Sequence, residues 1–341
     1  MKDKFWLNNN VFITGINGFV GGNLAEDLVK KGANVYGLIR NLTEKSYLFY
    51  MRINKKIEIV NGNITDKEFL RSFFNENKID ICFHLAAQVE VGVAAEYPFL
   101  TWETNVKGTY TLLEAIRESL PDISAIVIAS SDKAYGEYPI EELPYKEDYP
   151  LMPKYPYDTS KACADLIAQS YASDLFKMPI VITRFANIYG PGQLNFSALI
   201  PDAIKSALEG NQFLPRSNGK SKRDFLFVND VADLYCIIGE NLSQNPNLRG
   251  EIFNAGTNQE KSVREVIEYI YGILNKDAEL KVIIKFFELN PSTSQGEINF
   301  QSMDYSKVEK YFNWQPKTSF LDGLNRSIEW YKNYLANENS I

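Results

Sequence analysis

The sequence predicts an α/β protein, a Rossmann-type doubly wound parallel sheet with a smaller mixed α/β substrate lobe toward its C-terminal end. Three observations predict it. Short β-branched runs alternate with helical patterns through the first half. A glycine-rich turn joins the first such run to the first helical pattern, and after about residue 190 the rhythm becomes shorter and mixed.

Taken in order, the runs at 11–14, 35–39, 56–60, 81–85, 126–130 and 180–184 read as buried strands. Helical patterns at 22–31, 67–75, 99–119 and 156–176 lie between them. Gly190-Pro191-Gly192 marks a loop, and the stretch from Asn229 to Ser262 reads as a return to the main body. A chain of 341 residues exceeds the size at which one core usually stops growing. The main sheet domain is therefore expected over 1–189 with about 229–262. The substrate lobe is expected over 190–228 and about 263–335.

Composition narrows the partners. With 36 Lys and Arg against 43 Asp and Glu, the net charge of −7 disfavours nucleic acid. Cys82, Cys163 and Cys236 lie far apart without a CxxC, so they read as reduced thiols, and no metal is expected. His84 is the only histidine, which excludes a His-based triad and a multi-His metal site. No apolar run reaches membrane length and the N-terminus lacks a signal-peptide pattern, so the cytoplasm is expected.

The turn reads Thr14-Gly15-Ile16-Asn17-Gly18-Phe19-Val20-Gly21. Gly15 permits a tight turn, Gly18 lets backbone approach a pyrophosphate, and Gly21 lets the helix pack closely on the strand. The helix N-terminus would then present unpaired N–H groups and a positive dipole end to the phosphates. Gly15, Asn17, Gly18, Phe19, Val20 and Gly21 are the expected cofactor contacts. The second strand ends with Ile39-Arg40, where an acid would hold the ribose 2′-hydroxyl of NAD. Arg40 suits a 2′-phosphate instead, so NADP is favoured over NAD; the alternative is a solvated strand-end charge.

Tyr157 and Lys161 stand four apart at a helix start, so both project from one face. A nearby ammonium, together with the positive charge of a bound nicotinamide, would lower the phenol pKa and make its oxygen a usable base.

The chain is similar here to the extended short-chain dehydrogenase/reductase family, the nucleotide-sugar epimerases and dehydratases. The similarity runs over roughly residues 10–335. It is carried by the glycine turn, His84-Leu85-Ala86-Ala87-Gln88, Asn105-Val106-Lys107-Gly108-Thr109, the stretch from Ser130 to Gly136, Tyr157 with Lys161, the run from Arg184 to Gly192 and Arg223-Asp224-Phe225. The resemblance implies that Ser131 hydrogen-bonds the reacting hydroxyl, Tyr157 removes its proton, and Lys161 holds the nicotinamide ribose. It adds Asn63, Ile64, Leu85, Ala86 and Ala87 to the cofactor contacts. It implies Gln88, Asn187, Leu199, Arg223 and, more weakly, Asn254 as substrate contacts. Asn105 would order backbone near the site, and His84 would be structural.

Two departures stand out. Gly62-Asn63 replaces the Gly-Asp common in the family for adenine contact, and the segment from Asn195 to Pro201 lacks a lysine that several relatives carry.

Within the family, Ser131-Asp132-Lys133 resembles the CDP-glucose 4,6-dehydratases, as do Tyr155-Pro156-Tyr157 and Lys4-Phe5-Trp6. The resemblance implies that Asp132 is the acid protonating the leaving hydroxyl and Lys133 the base at carbon 5. Burial would raise the first pKa and depress the second, while a close Asp–Lys pair would oppose both. The expected substrate is a nucleoside-diphosphate sugar, turned into a 4-keto-6-deoxy sugar and water with the nicotinamide internally recycled. A 4-epimerase remains the alternative, and a non-catalytic dinucleotide sensor a second one. By the same resemblance the helices at 99–119 and 156–176 would build a homodimer or homotetramer interface.

Overall fold

The computed structural model describes residues 4–290 and 298–338. Residues 291–297, part of the stretch expected to complete the lobe, lie outside the described residues.

Seven parallel strands form the central sheet: β1 (Asn10–Thr14), β2 (Asn34–Ile39), β3 (Glu58–Asn61), β4 (Ile81–His84), β5 (Ala125–Ala129), β6 (Ile180–Phe185) and β7 (Ile252–Ala255). They lie in the order β3-β2-β1-β4-β5-β6-β7. Six were expected from the β-branched runs. The seventh, Ile252-Phe253-Asn254-Ala255, extends the sheet beside β6, with Phe253 opposite Thr183.

Strand order reverses at β1, which pairs with β2 on one side and β4 on the other. Chains leaving the carboxyl ends of β1 and β4 therefore diverge to opposite faces and leave a crevice between them. The glycine turn and the segment after His84 both open into that crevice.

Alternation along the strands fills both faces. Val11 and Ile13 of β1 join Leu24 and Leu28 of α1 (Phe19–Lys31) with Leu234 and Ile238 from the helix Val228–Gln244. Phe12 turns to the other face with Leu112, Ile116 and Ala168. Two residues from the far end of the chain, Val308 and Trp314, pack into the first of these clusters.

Three helical patterns differ from expectation, two at an end and one within. Helix α1 begins at Phe19 rather than 22, because Gly18 is extended and the chain turns into the helix directly. The pattern at 99–119 is interrupted by a π-helical turn, Trp102–Lys107, before the helix Gly108–Ser119. The helix Pro156–Ala172, α2 here, opens with proline at its first turn and stops four residues before 176.

A separate apolar cluster joins helices Leu199–Glu209, Val263–Ile273, Asp277–Leu289 and Phe320–Glu338 through Ile204, Ile270, Phe287 and Ile328. Between this cluster and the sheet opens a cleft of about 880 Å³.

Candidate active site

The cleft lies over the carboxyl ends of β1, β4 and β5. Its volume falls within the range of roughly 300–1,000 Å³ typical of small-molecule sites.

At one end stands the glycine turn. Gly15 has φ +71°, and a Cβ there would lie 2.7 Å from the Ala86 amide nitrogen. A Cβ on Gly21 would run into the Gly15 carbonyl. Gly18 differs: an added Cβ would meet only the Gly15 oxygen, at 3.1 Å. Internal packing thus accounts for Gly15 and Gly21, whereas the free space at Gly18 faces the cleft. No side chain caps α1 and no acid stands in its first turn, so its positive end is open to an anion. This cradle fits a dinucleotide pyrophosphate. Asn17, Phe19, Val20, Asn63 and Ile64 line the same end, with Leu85, Ala86 and Ala87 opposite.

Buried hydrogen bonds hold that opposite wall. Thr14 Oγ1 accepts from the Leu85 and Ala86 amides at 3.2 and 3.1 Å, and lies 2.7 Å from His84 Nδ1. His84 Nε2 meets Thr109 Oγ1 at 3.0 Å. Burial, with Lys161 adding to it, lowers the His84 pKa to about 3, so the imidazole is neutral and braces the wall. Asn105 accepts from the Gln88 amide at 2.7 Å and donates to the Gln88 carbonyl at 3.0 Å. The Gln88 side chain lines the cleft while donating to the Glu90 carbonyl at 3.0 Å and accepting from Thr101 at 3.1 Å. At the far rim of this end Arg40 is exposed, whereas Ile39 is buried.

The middle of the cleft holds Ser131, Asp132, Lys133, Tyr157 and Lys161. The first three sit on a single 3₁₀ turn that follows β5, and the last two on the first turns of α2. Asp132 is 3% exposed. Its Oδ1 accepts from Ser131 Oγ at 2.9 Å, and its Oδ2 is buried without a partner. Burial raises its pKa, opposed by Lys133, by the Ser131 hydrogen bond and by Arg223. Asp132 is therefore not one half of a surface ion pair.

Burial drives the Tyr157 phenol pKa upward, the Asp132 charge adds to this, and Ser131 opposes it. The Lys161 amine donates to the Ala129 carbonyl. Burial lowers the Lys161 pKa to about 8 against the pull of Asp165.

Asn187, Leu199 and Arg223 line the lobe side, and the Asn187 side-chain nitrogen is buried without a partner. Asn254 does not join them. It is fully buried, accepts from Tyr135 Oη at 2.8 Å and donates to the Tyr145 carbonyl at 3.0 Å. Both ends of its amide are spent on the core, so the expected substrate contact is corrected to a structural tie.

Two neighbours of the site carried no signal in the sequence. Asp158 is buried, and burial raises its pKa to about 6, with Lys133 lowering it and Asp132 raising it. Gln301 accepts from Lys133 Nζ at 3.4 Å across 168 residues of chain. Among the described residues no cluster of His, Cys, Asp and Glu could hold a metal ion.

A nucleotide-type fold with a Ser, Tyr and Lys set at the switch point defines an oxidoreductase-like enzyme of the extended short-chain class. The profile of the GDP-mannose 4,6-dehydratase family matches residues 12–327, and the chain belongs to that family. It is 30% identical to a CDP-glucose 4,6-dehydratase of Salmonella typhimurium, over all of this chain and 96% of the relative. A dTDP-glucose 4,6-dehydratase from Bacillus anthracis, solved in complex with NAD, is 27% identical with TM-score 0.81, covering 95% of this chain and 97% of that one. An epimerase from Methanothermobacter thermautotrophicus is 25% identical with TM-score 0.81, covering 98% and 95%. The chain is thus an enzyme of nucleotide-sugar chemistry that uses a nicotinamide cofactor.

Proposed function

We propose that this enzyme is a nucleotide-sugar 4,6-dehydratase, turning a nucleoside-diphosphate hexose of the CDP-glucose type into its 4-keto-6-deoxy derivative and water. The observation that carries this reading is Asp132. It is a buried carboxyl group with one unpartnered oxygen, beside Lys133 and within the cleft that holds Ser131 and Tyr157. Burial favours its protonated form, which is what a proton donor needs.

When bound, the nicotinamide supplies reversible hydride exchange with the sugar. The chain's own groups do the rest. Ser131 orients the carbon-4 hydroxyl and Tyr157 takes its proton. Lys161 holds the cofactor ribose and lends positive charge to the phenol side of the cleft. In the elimination, Lys133 takes the carbon-5 proton while Asp132 gives its proton to the carbon-6 hydroxyl, which leaves as water. Asn187 and Arg223 hold the nucleotide and diphosphate, with Gln88 and Leu199 beside the sugar.

Arg40, exposed at the adenosine rim beside a buried Ile39, favours NADP over NAD for this chain. The exposed Phe99, Tyr110 and Leu166 lie on the expected interface helices and support a homodimer or homotetramer. No helix of the described residues is long and apolar enough to cross a membrane, and we place the enzyme in the cytoplasm.

The likeness to an epimerase favours a second reading, carbon-4 epimerisation, in which Asp132 and Lys133 are idle. Incubation with CDP-, dTDP-, UDP- and GDP-hexoses separates the two. A 4-keto-6-deoxy product from at least one sugar supports the dehydratase, and a 4-epimer alone refutes it.

A further inference from the structure

Gln301 reaches the site from far along the chain, and the chemistry above leaves it unused. Its backbone is pinned on both sides. On one, Gln301 N–H donates to the Lys222 carbonyl at 3.1 Å and Lys222 N–H to the Asn299 carbonyl at 2.9 Å. On the other, Tyr145 N–H donates to the Ser302 carbonyl at 2.9 Å and Asp304 N–H to the Tyr145 carbonyl at 3.0 Å. The side chain is wholly buried. Its Oε1 accepts from Lys133 Nζ at 3.4 Å, and its Nε2 is buried with no protein partner. Packing alone gives no reason for such a residue, because an unmet buried donor costs stability that an apolar side chain would not.

We infer that Gln301 is a positioning residue for Lys133, its neutral carbonyl seating the amine in the cleft without adding a counter-charge. The inference rests on the dehydratase reading for why the seat matters, but the seat itself is testable apart from it. Neutrality matters because of what already faces the amine. Asp132 acts on it from the same turn and Asp158 from the first turn of α2, while Arg223 faces Asp132 from the short strand Lys222–Arg223. A carboxylate placed directly on Nζ would hold a proton there. A base must shed that proton. Glutamine supplies the hydrogen bond and leaves the proton free to go.

The test measures Lys133 directly. The full-length protein, loaded with its cofactor, is acetylated competitively across a pH series, and the Lys133 peptide is followed by mass spectrometry. In Gln301→Glu the labelling midpoint of Lys133 moves up by about one pH unit or more, as a carboxylate in contact demands. The acid limb of the kcat profile moves up with it, because a base of raised pKa is lost earlier as pH falls. Gln301→Leu, which keeps the bulk and both backbone pins, lowers kcat at least tenfold with KM for the nucleotide sugar within twofold. An unmoved Lys133 midpoint in Gln301→Glu, or a Gln301→Leu variant with parental kcat, overturns the inference. A midpoint that moves while the kcat profile stays fixed upholds the seat and overturns Lys133 as the base.

Discussion

Replacing Asp132 by asparagine should remove one pH dependence of this protein's stability and lower its activity. Asp132 is 3% exposed, with Oδ1 held by Ser131 and Oδ2 left without a partner. Ionised, it carries a buried unsatisfied oxygen, a defect that costs about 1–3 kcal/mol. Its folded pKa is raised above the ordinary value of 3.8, chiefly by burial. The folded state therefore binds the proton more tightly than the unfolded chain. Stability falls as pH rises from the unfolded pKa to the folded one, then stays at the lower level. Asparagine cannot ionise and keeps an acceptor for Ser131, while its Nδ2 takes the unmet buried place of Oδ2, so the variant's stability relative to the parent shifts in its favour only as pH rises. With an unfolding entropy of about 2.1 cal/mol/K per residue over 341 residues, each 1 kcal/mol of that shift is about 1.4 °C in Tm. The shift should be absent below about pH 4, where Asp132 is protonated in both states. Turnover should drop by about 10²–10⁴-fold with loss of the proton donor. Melting curves at pH 4, 6 and 8, with product assays at pH 6, check both halves. A Tm difference between variant and parent that does not move in the variant's favour from pH 4 to pH 8, or near-parental turnover, refutes the reasoning.

Three further outcomes are expected. Tyr157→Phe keeps the fold and the cofactor affinity but lowers turnover at least a hundredfold, since only the proton-accepting oxygen is removed; steady-state kinetics and cofactor titration read both. Arg40→Ala weakens NADP by roughly 1.5–3 kcal/mol and NAD far less, because a charge-assisted contact is lost for the 2′-phosphate alone; fluorescence titration with each cofactor decides. Asn254→Ala lowers stability by about 1–3 kcal/mol by leaving the Tyr135 hydroxyl unpaired in the core, while KM for the nucleotide sugar stays within twofold.

Much of this molecule is legible in the sequence, and the part that is not shares a physical cause. Strand and helix patterns repeat within a few residues, so β1 to β6 and the glycine turn can be read locally. Strand β7 is harder to read, because Ile252-Phe253-Asn254-Ala255 is short and its place beside β6 depends on long-range pairing. Asn254 looks like a site residue by position but is drawn into the core by Tyr135 and Tyr145, which stack 4.8 Å apart. That stack and the buried Arg184–Asp165 pair beside it, at 2.8 Å, leave no local pattern. Ser131, Asp132 and Lys133 are legible as neighbours on one turn. The Tyr157 pKa is not, because its direction comes from the burial and the Asp132 charge that folding brings to the phenol. Asp158 and Gln301 escape for the same reason: their importance comes from what folding brings against Lys133.

Hydrogen exchange at carbon 5 of the sugar tests the central claim most directly. The enzyme is incubated with its nucleotide hexose in deuterium oxide, and the product is read by NMR. Abstraction by Lys133 and later return of a proton from solvent predict deuterium at carbon 5 of a 4-keto-6-deoxy product, with no net consumption of cofactor. In Lys133→Met, carbon 5 should keep its hydrogen, and reduced cofactor absorbing in the near ultraviolet should accumulate. A 4-epimer free of solvent label, formed as fast by Lys133→Met as by the parent, would contradict the account.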